Sequence, residues 1–403
     1  MSDAYVIGTA MTYFGGRGVG IVGMTEEVVA QALVDAGVGS SEVQHAYVGN
    51  AAAGLLQGQE MIRGQVILRN TGLLGSAVVN VENACSSSST AFFLAVMAIR
   101  SGFADVAMAI GVEQLRIEQK ARSFAALASA TDTLRQLEMH EFVDRYAFGG
   151  PLESRLMPAS PLMDHYSLKG REYLEQSGAT INDLARVVVK SRSLGALNRR
   201  AQFQKELSIE EVLAGRLISA PLTIAMCSAL SDGAAAVVVA SKEVAQRLAR
   251  TEVRVRAVTV ASNNPDGNVS PTVVASERAY AIAGVEPGDI DFAEVHDAAA
   301  PAELIIMEEL GLASQGSAFE LLRREQTFPS GTMPINPSGG LLSRGHPIGA
   351  TGCAQIVELT EQLRESAGQR QVPGARIGLA QNGGGVLERD EATVSVTILE
   401  RTH

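Results

Sequence analysis

Cys85 stands between a short apolar run, residues 77–81, and a helical pattern opened by serines, in the stretch Asn83-Ala84-Cys85-Ser86-Ser87-Ser88-Ser89-Thr90. A cysteine at a strand-to-helix turn meets unpaired backbone N–H groups and the positive end of the helix dipole. Both favour thiolate, the nucleophilic form. A base is available in Gly345-His346-Pro347-Ile348-Gly349. His346 precedes a helical pattern, Pro347 fits its first position, and an imidazole there can take a proton from a thiol. A capping or core histidine would fit the same place, and that alternative stays open. His296 ends the apolar run of Glu294-Val295-His296-Asp297. Strand ends in α/β proteins face clefts, so His296 can donate to a carbonyl oxygen or bond structurally to Asp297. In Gln381-Asn382-Gly383-Gly384-Gly385, a glycine turn after a strand can present an N–H to an oxyanion. Cys227 and Cys353 lie in apolar phrases without a basic neighbour and read as structural, while His45, His140, His165 and His403 carry no supporting context. Arg199 and Arg200 suit either phosphates or a solvated charged face.

An α/β fold must bring these residues together. Apolar β-rich runs (4–7, 46–48, 106–110, 234–240, 253–260, 292–295, 377–380, 394–399) alternate with helical periodicity (25–35, 87–101, 243–250, 276–283, 302–310, 351–365). That is the pattern of buried sheets. An internal repeat organises the pattern: Ala36-Gly37-Val38 and Ala283-Gly284-Val285 stand 247 positions apart, and at that offset Val43/Ile290, Ala46/Ala293 and Val48/Val295 also match. Chance reuse of a helix–Ala-Gly–strand phrase is the competing reading, and the shared order of flanking elements favours duplication. Each half then has a helix that begins on a reactive residue, Cys85 or His346, and leads to a strand. Two such halves would face each other with their helix N-termini converging on one cleft. Between 116 and 222 the chain is richer in charge, Met and Tyr, which predicts a helical insertion folded over the first half. The phrase from Cys227, with an Asp232-Gly233 turn, returns to the sheet. The expected division is 1–115 with 223–250, then 116–222, then 251–403.

Hydrophobic residues make 46% and charged residues 19% of the 403, which fits a well-buried globular chain. The net charge of −11 argues against nucleic acid as a partner. No apolar run reaches the ~18 residues of a membrane span. The first ten residues lack the basic, then apolar, regions of a secretory signal, so a cytoplasmic location is expected. Three scattered cysteines suggest neither a disulfide framework nor a zinc ribbon, so no metal is expected.

Taken together, the phrases from Asn83 (NACSSSS), Cys227 (CSALSDGAAAVV), His296 (HDAAAP), Asn336 (NPSGGLLSRGHPIGATG) and Gln381 (QNGGG) resemble the thiolase superfamily over nearly the whole chain. His296-Asp297 is similar to the sterol-carrier-protein type, where other thiolases carry Asn-Glu. The resemblance implies a duplicated thiolase-like α/β fold in layered packing, an inserted helical loop domain, and an obligate dimer. It also implies action on acyl-CoA thioesters, with coenzyme A as cosubstrate and no bound cofactor. By motif, Cys85 would be the acylated nucleophile and His346 its activator. His346 and His296 would polarise the thioester oxygen, and the N–H groups of Cys85 and Gly383 would hold the tetrahedral intermediate. Asn382, Arg199 and Arg200 are candidate substrate or coenzyme contacts. Thiolases usually carry a second cysteine as acid/base; its two usual places hold Gln381 and Ala298. That gap points to a bulky or stabilised leaving fragment. The reading is thiolytic cleavage of an aromatic, branched or steroid-derived 3-oxoacyl-CoA, or the reverse Claisen condensation. The alternatives are a retro-aldolase acting through tyrosines on a side-chain acyl-CoA, and a non-catalytic scaffold subunit. The QNGGG ending further resembles large subunits of two-component enzymes whose partner is a small zinc-ribbon and OB-fold protein. A carrier-protein ketosynthase fits less well, because no basic patch is legible near the mouth of the site.

Overall fold

Every residue of the strand Asp232–Ser241 is buried. Its positions 234, 236, 238 and 240 pack into one apolar cluster and 235, 237 and 239 into another. A two-residue period that is apolar on both sides requires a layer on each face, and the rest of the chain supplies them. The computed structural model describes residues 3–16, 18–134, 161–250, 252–264 and 266–402. His140, His403 and residues 135–160 of the expected insertion lie outside the described residues.

The strands are β1 (Ala4–Met11), β2 (His45–Gly49), β3 (Ala77–Val81), β4 (Val106–Gln114), β5 (Leu217–Ser219), β6 (Leu222–Thr223), β7 (Asp232–Ser241), β8 (Val253–Ser262), β9 (Phe292–Glu294), β10 (Ile377–Leu387) and β11 (Asp390–Arg401). Nine of them run in the order β3-β2-β4-β7-β1-β8-β11-β10-β9. β1 and β8 meet at one residue pair, Tyr5 with Arg254, so the array is two sheets touching at a seam. Among the described residues, the helices of nine residues or more are α1 (Gly20–Ala36), α2 (Ser87–Arg100), α3 (Lys120–Ala128), α4 (Pro161–Ser177), α5 (Ile181–Ala196), α6 (Pro271–Ala283), α7 (Ala300–Glu309) and α8 (Thr351–Leu363).

Three apolar clusters show the layering. α1 covers the outer face of the first sheet, α2 and α8 fill the space between the sheets, and α6 and α7 cover the outer face of the second. The repeat is structural. α1 and α6 both end on a left-handed glycine, Gly37 (φ 71) and Gly284 (φ 65). A single 3-10 turn follows each, at 40–42 and 287–289, and then β2 and β9 begin. The central helices cross closely near their N-termini. A β-carbon on Gly352 would lie 2.0 Å from Ser89 Oγ, and Cys353 N–H donates to Ser88 Oγ at 3.0 Å. Glycine is what permits that approach.

Three expectations need correcting. Of the described residues between β4 and β7, α4 and α5 pack on α7 and on the short helices 318–323 and 340–343 of the second half rather than over the first, while α3 contacts the first-half helix 53–57. Their apolar residues Tyr166, Tyr173, Leu184 and Val187 join the second half's outer cluster. A buried ion pair, Lys190 with Glu303 at 2.5 Å, fixes the contact. Asp232-Gly233 is not a turn: both are strand residues, paired with Gln114 and Glu113. Gln381–Gly385 likewise lies inside β10, with Gly385 left-handed (φ 63) within an unshifted register against β11. Among the described residues no helix is long and apolar enough to cross a membrane.

Candidate functional site

Cys85 lies in the 3-10 turn Ala84–Ser86, directly ahead of α2. Ala84 takes φ +47, a region that a β-carbon disfavours, and the tight reversal carries the chain from β3 into the helix. β10 passes against this turn: a β-carbon on Gly384 would come within 2.2 Å of Asn83 O. Burial pushes the Cys85 thiol up to about 12; the N–H groups of Gly385 and Cys85 itself pull it down, and Glu113 adds to the rise. The resting group is therefore a thiol, not the thiolate expected from the helix end, because lost hydration outweighs the helix dipole.

The two histidines meet it from the second half. The ligand atoms of Cys85, His296 and His346 lie within 4.8 Å of one another. The imidazoles meet edge to face, 5.0 Å between centroids and 80° between planes. Their hydrogen bonds assign opposite tautomers. Thr351 Oγ1 donates its single proton to Pro347 O at 3.2 Å. It therefore accepts at its 2.7 Å contact with His346 Nδ1, which leaves His346 Nε2 as a lone pair. Asn382 Oδ1 accepts from Ser89 Oγ, so its NH2 donates to His296 Nδ1 at 2.7 Å, and His296 carries its proton on Nε2. Burial keeps both rings neutral, His296 down to about 4 and His346 well below the ordinary histidine range. One thiol thus faces one imidazole that can accept a proton and one that can donate to an oxygen.

A buried polar frame holds this pair. His346 N–H donates to Ser231 Oγ at 2.9 Å. Arg344 is fully buried and donates to Glu294 at 3.0 Å and to Ser338 Oγ at 3.1 Å. Asp297 accepts from Leu341 N–H at 2.7 Å, so it is not the partner of His296. Glu113 accepts from Asn50 and Ala51 at 3.0 Å and from the Gly349 N–H, tying the first-half loop to the loop of His346. Burial raises its carboxyl to about 7. Gln381 is fully buried; it accepts from His296 N–H at 3.1 Å and donates to Thr272 at 3.2 Å.

A cavity of about 1120 Å³ is lined by Cys85, His296, His346, Gly383, Gly385 and Ala298. Cys85, His346, His296 and Gly383 are thus brought together. Asn382 sits behind the wall with its amide committed to Ser89 and His296, and so positions a histidine rather than meeting a ligand. Arg199 is exposed and Arg200 is paired with Glu361; neither borders the cavity. The cations that do are Arg116, Lys120, Lys205 and Arg216, all exposed, and Arg192, which is 9% exposed. Arg192 lies 3.9 Å over the Phe203 ring. This basic set corrects the expectation of none. Its members come from two helices, α3 and α5, and from connecting segments spread from 116 to 216, so no run of charge announces it. Tyr166 and Glu391, also on the wall, escaped the sequence for the same reason.

Comparison with known proteins agrees with this geometry. Residues 4–212 match the family model "Thiolase, N-terminal domain" and 255–401 match "Thiolase C-terminal domain-like". Sterol carrier protein 2 of Bos taurus is 35% identical over 401 residues, covering 95% of this chain and 71% of that protein. Acetyl-CoA acetyltransferase of Methanothermobacter thermautotrophicus is 35% identical over 393 residues, covering 96% of this chain and 97% of the relative. Benzoylsuccinyl-CoA thiolase subunit BbsB of Thauera aromatica is 32% identical, with 96% of each covered. Among solved structures, an Ltp2-ChsH2(DUF35) aldolase superposes with TM-score 0.78 at 22% identity, over 99% of this chain and 98% of that one. The Acat5 thiolase of Ascaris suum in complex with coenzyme A gives 0.67 at 19%, over 99% and 100%. With both halves matched and relatives aligned from end to end, this chain belongs to the thiolase family of acyltransferases.

Proposed function

We propose that the chain transfers acyl groups through an acyl-Cys85 intermediate, cleaving a 3-oxoacyl-CoA with free coenzyme A or running the reverse condensation. The observation that carries this is the set of Cys85, His346 with a free Nε2, and His296 with a protonated Nε2, within 4.8 Å of one another. His346 takes the thiol proton as sulfur attacks the carbonyl, and His296 donates to the oxygen as it gains charge. The N–H groups of Gly383 and Cys85 are suited to the oxyanion of the tetrahedral intermediate. A bulky acyl group, aromatic, branched or steroid-derived, suits the broad wall formed by Leu115, Ile117, Phe124, Leu127 and Met163. The named substrate of the Thauera relative is of that aromatic kind. The test is the intact mass of the chain after mixing with a panel of acyl-CoA and 3-oxoacyl-CoA thioesters. A gain of one acyl group supports the reading, and the absence of any adduct removes it.

Arg116, Lys120, Lys205 and Arg216 fit the phosphates of coenzyme A, with no metal or other cofactor needed for the step. Reversing Lys120 and Arg216 to glutamate should raise KM for acyl-CoA roughly tenfold or more with little change in kcat. An unchanged KM would move the phosphates elsewhere.

In this reading residues 1–115 with 223–250 and residues 251–403 are the two halves, and 116–222 is the inserted domain. Two copies pair through β3. That strand is a sheet edge, uncharged from Ala77 to Val81, with Ala77, Val79 and Asn80 exposed. Such an edge invites another strand. Light scattering should give twice the chain mass, and Val79→Lys should lower it; a wild-type monomer would refute the pairing. A mass above two chains when a small zinc-ribbon and OB-fold protein is added would reveal the second subunit that the relative's name suggests.

A further inference from the structure

Making or breaking a carbon–carbon bond beside a thioester requires a group that moves the α-carbon proton. Neither usual cysteine is here: Ala298 offers no proton, and Gln381 is committed to His296 and Thr272. Of the three carboxylates bordering the cavity, Glu118 and Glu211 are exposed and Glu391 is 4% exposed. Glu391 lies on β11 opposite Val386, and its side chain covers Gly383, where a β-carbon would come within 2.7 Å of Glu391 Cγ. Its Oε2 is buried without a hydrogen-bond donor, 3.8 Å from Lys169 Nζ. A buried polar atom left unsatisfied in a reaction cavity asks for a functional explanation.

We propose that Glu391 is the acid/base for the substrate α-carbon, in place of the missing second cysteine, and that Lys169 holds its charge and position. This rests on the acyl-transfer reading above. In condensation the α C–H bond breaks and its electron pair forms the C–C bond to the acyl carbon. The acyl C–S bond breaks with its pair going to Cys85 sulfur. The proton taken by Glu391 is returned to that sulfur by way of His346, regenerating the thiol. Cleavage runs the same steps backwards, so no further reactant is needed.

Its neighbours support the assignment. Burial opposes the charge on the Glu391 carboxyl, but Lys169 holds the group below its ordinary range, so it rests ionised and can take up a proton. After burial, Glu391 is also the largest charge influence on Tyr166 and His296, both on the cavity wall. Lys169 has a second carboxylate partner in Asp390, so it does not require Glu391 for charge balance.

The test separates the half-reactions in Glu391→Gln, which keeps the side chain's shape. Acylation of Cys85 is followed by intact mass, and α-proton movement by deuterium entering the α-carbon of acetyl-CoA and the larger acyl-CoA thioesters of the same panel in heavy water. The proposal expects exchange to fall by about a hundredfold or more while acylation stays within about threefold, with Glu391→Asp recovering part of the exchange. Exchange at the wild-type rate in Glu391→Gln would make the residue only a counter-ion of Lys169. Equal loss of acylation and exchange would make it structural. A wild type that acylates but does not exchange would also refute the proposal. A wild type that never acylates would instead overturn the acyl-transfer reading, and this proposal with it.

Discussion

Cys85→Ala should lose turnover by roughly 10⁴- to 10⁶-fold and form no acyl adduct with any thioester. No other cysteine can stand in. Cys353 is fully buried, with its sulfur toward Ser88 O, and lies outside the cavity wall. Cys227 reaches the wall but neither histidine's ligand atom is grouped with it. The substitution removes one buried sulfur, which costs about 1 kcal/mol of stability, so the melting curve should stay close to wild type. Turnover that persisted in Cys85→Ala would move the chemistry to the retro-aldolase class. Tyr166 would then be the group to replace, since it lines the cavity and is close enough to feel the charge on Cys85.

His346→Ala should slow acylation by about 10²- to 10⁴-fold, and the pH profile should change shape. In the wild type the reactive pair is neutral thiol and neutral imidazole. Burial holds His346 below its ordinary range and lifts Cys85 to about 12, so that pair dominates from about pH 7 to 10 and the rate should be flat there. Without His346 only thiolate reacts, and with a thiol near 12 its share at pH 7 is about one in 10⁵. The variant's rate should then rise about tenfold per pH unit across the same interval. Stopped-flow acylation between pH 7 and 10 checks both slopes. A flat profile in the variant would mean that another base serves Cys85, and a rising profile in the wild type would mean that His346 does not.

Much of the architecture was open to the sequence because it is periodic. The unbroken apolar run 234–240 predicted a buried strand, and β7 is one. The 247-residue repeat predicted two halves, and the left-handed glycines Gly37 and Gly284 mark the same point in each. Cys85, His296 and His346 were legible because each sits at the junction of two periodic patterns. Where reasoning relied on a local phrase alone it failed. Asp232-Gly233 and Gln381–Gly385 looked like turns, yet both are strand, because pairing with a neighbouring chain segment overrides local turn preference. Arg199 and Arg200 suited either phosphates or a solvated charged face, and neither borders the cavity.

The sequence by itself determined the α/β class, the duplication, and the cysteine and two histidines that the fold brings together, since apolar period and motif spacing are properties of the chain. Only the tertiary structure decided the protonation of the site. Thr351 fixes the tautomer of His346, and Asn382 that of His296. The burial that makes Cys85 a thiol is created by β10 closing over the turn of the other half. Thr351 is only five positions from His346, but the desolvation of Cys85 and the partner of His296 come from atoms far apart in sequence, 86 positions for His296 and Asn382. No window of the chain contains them.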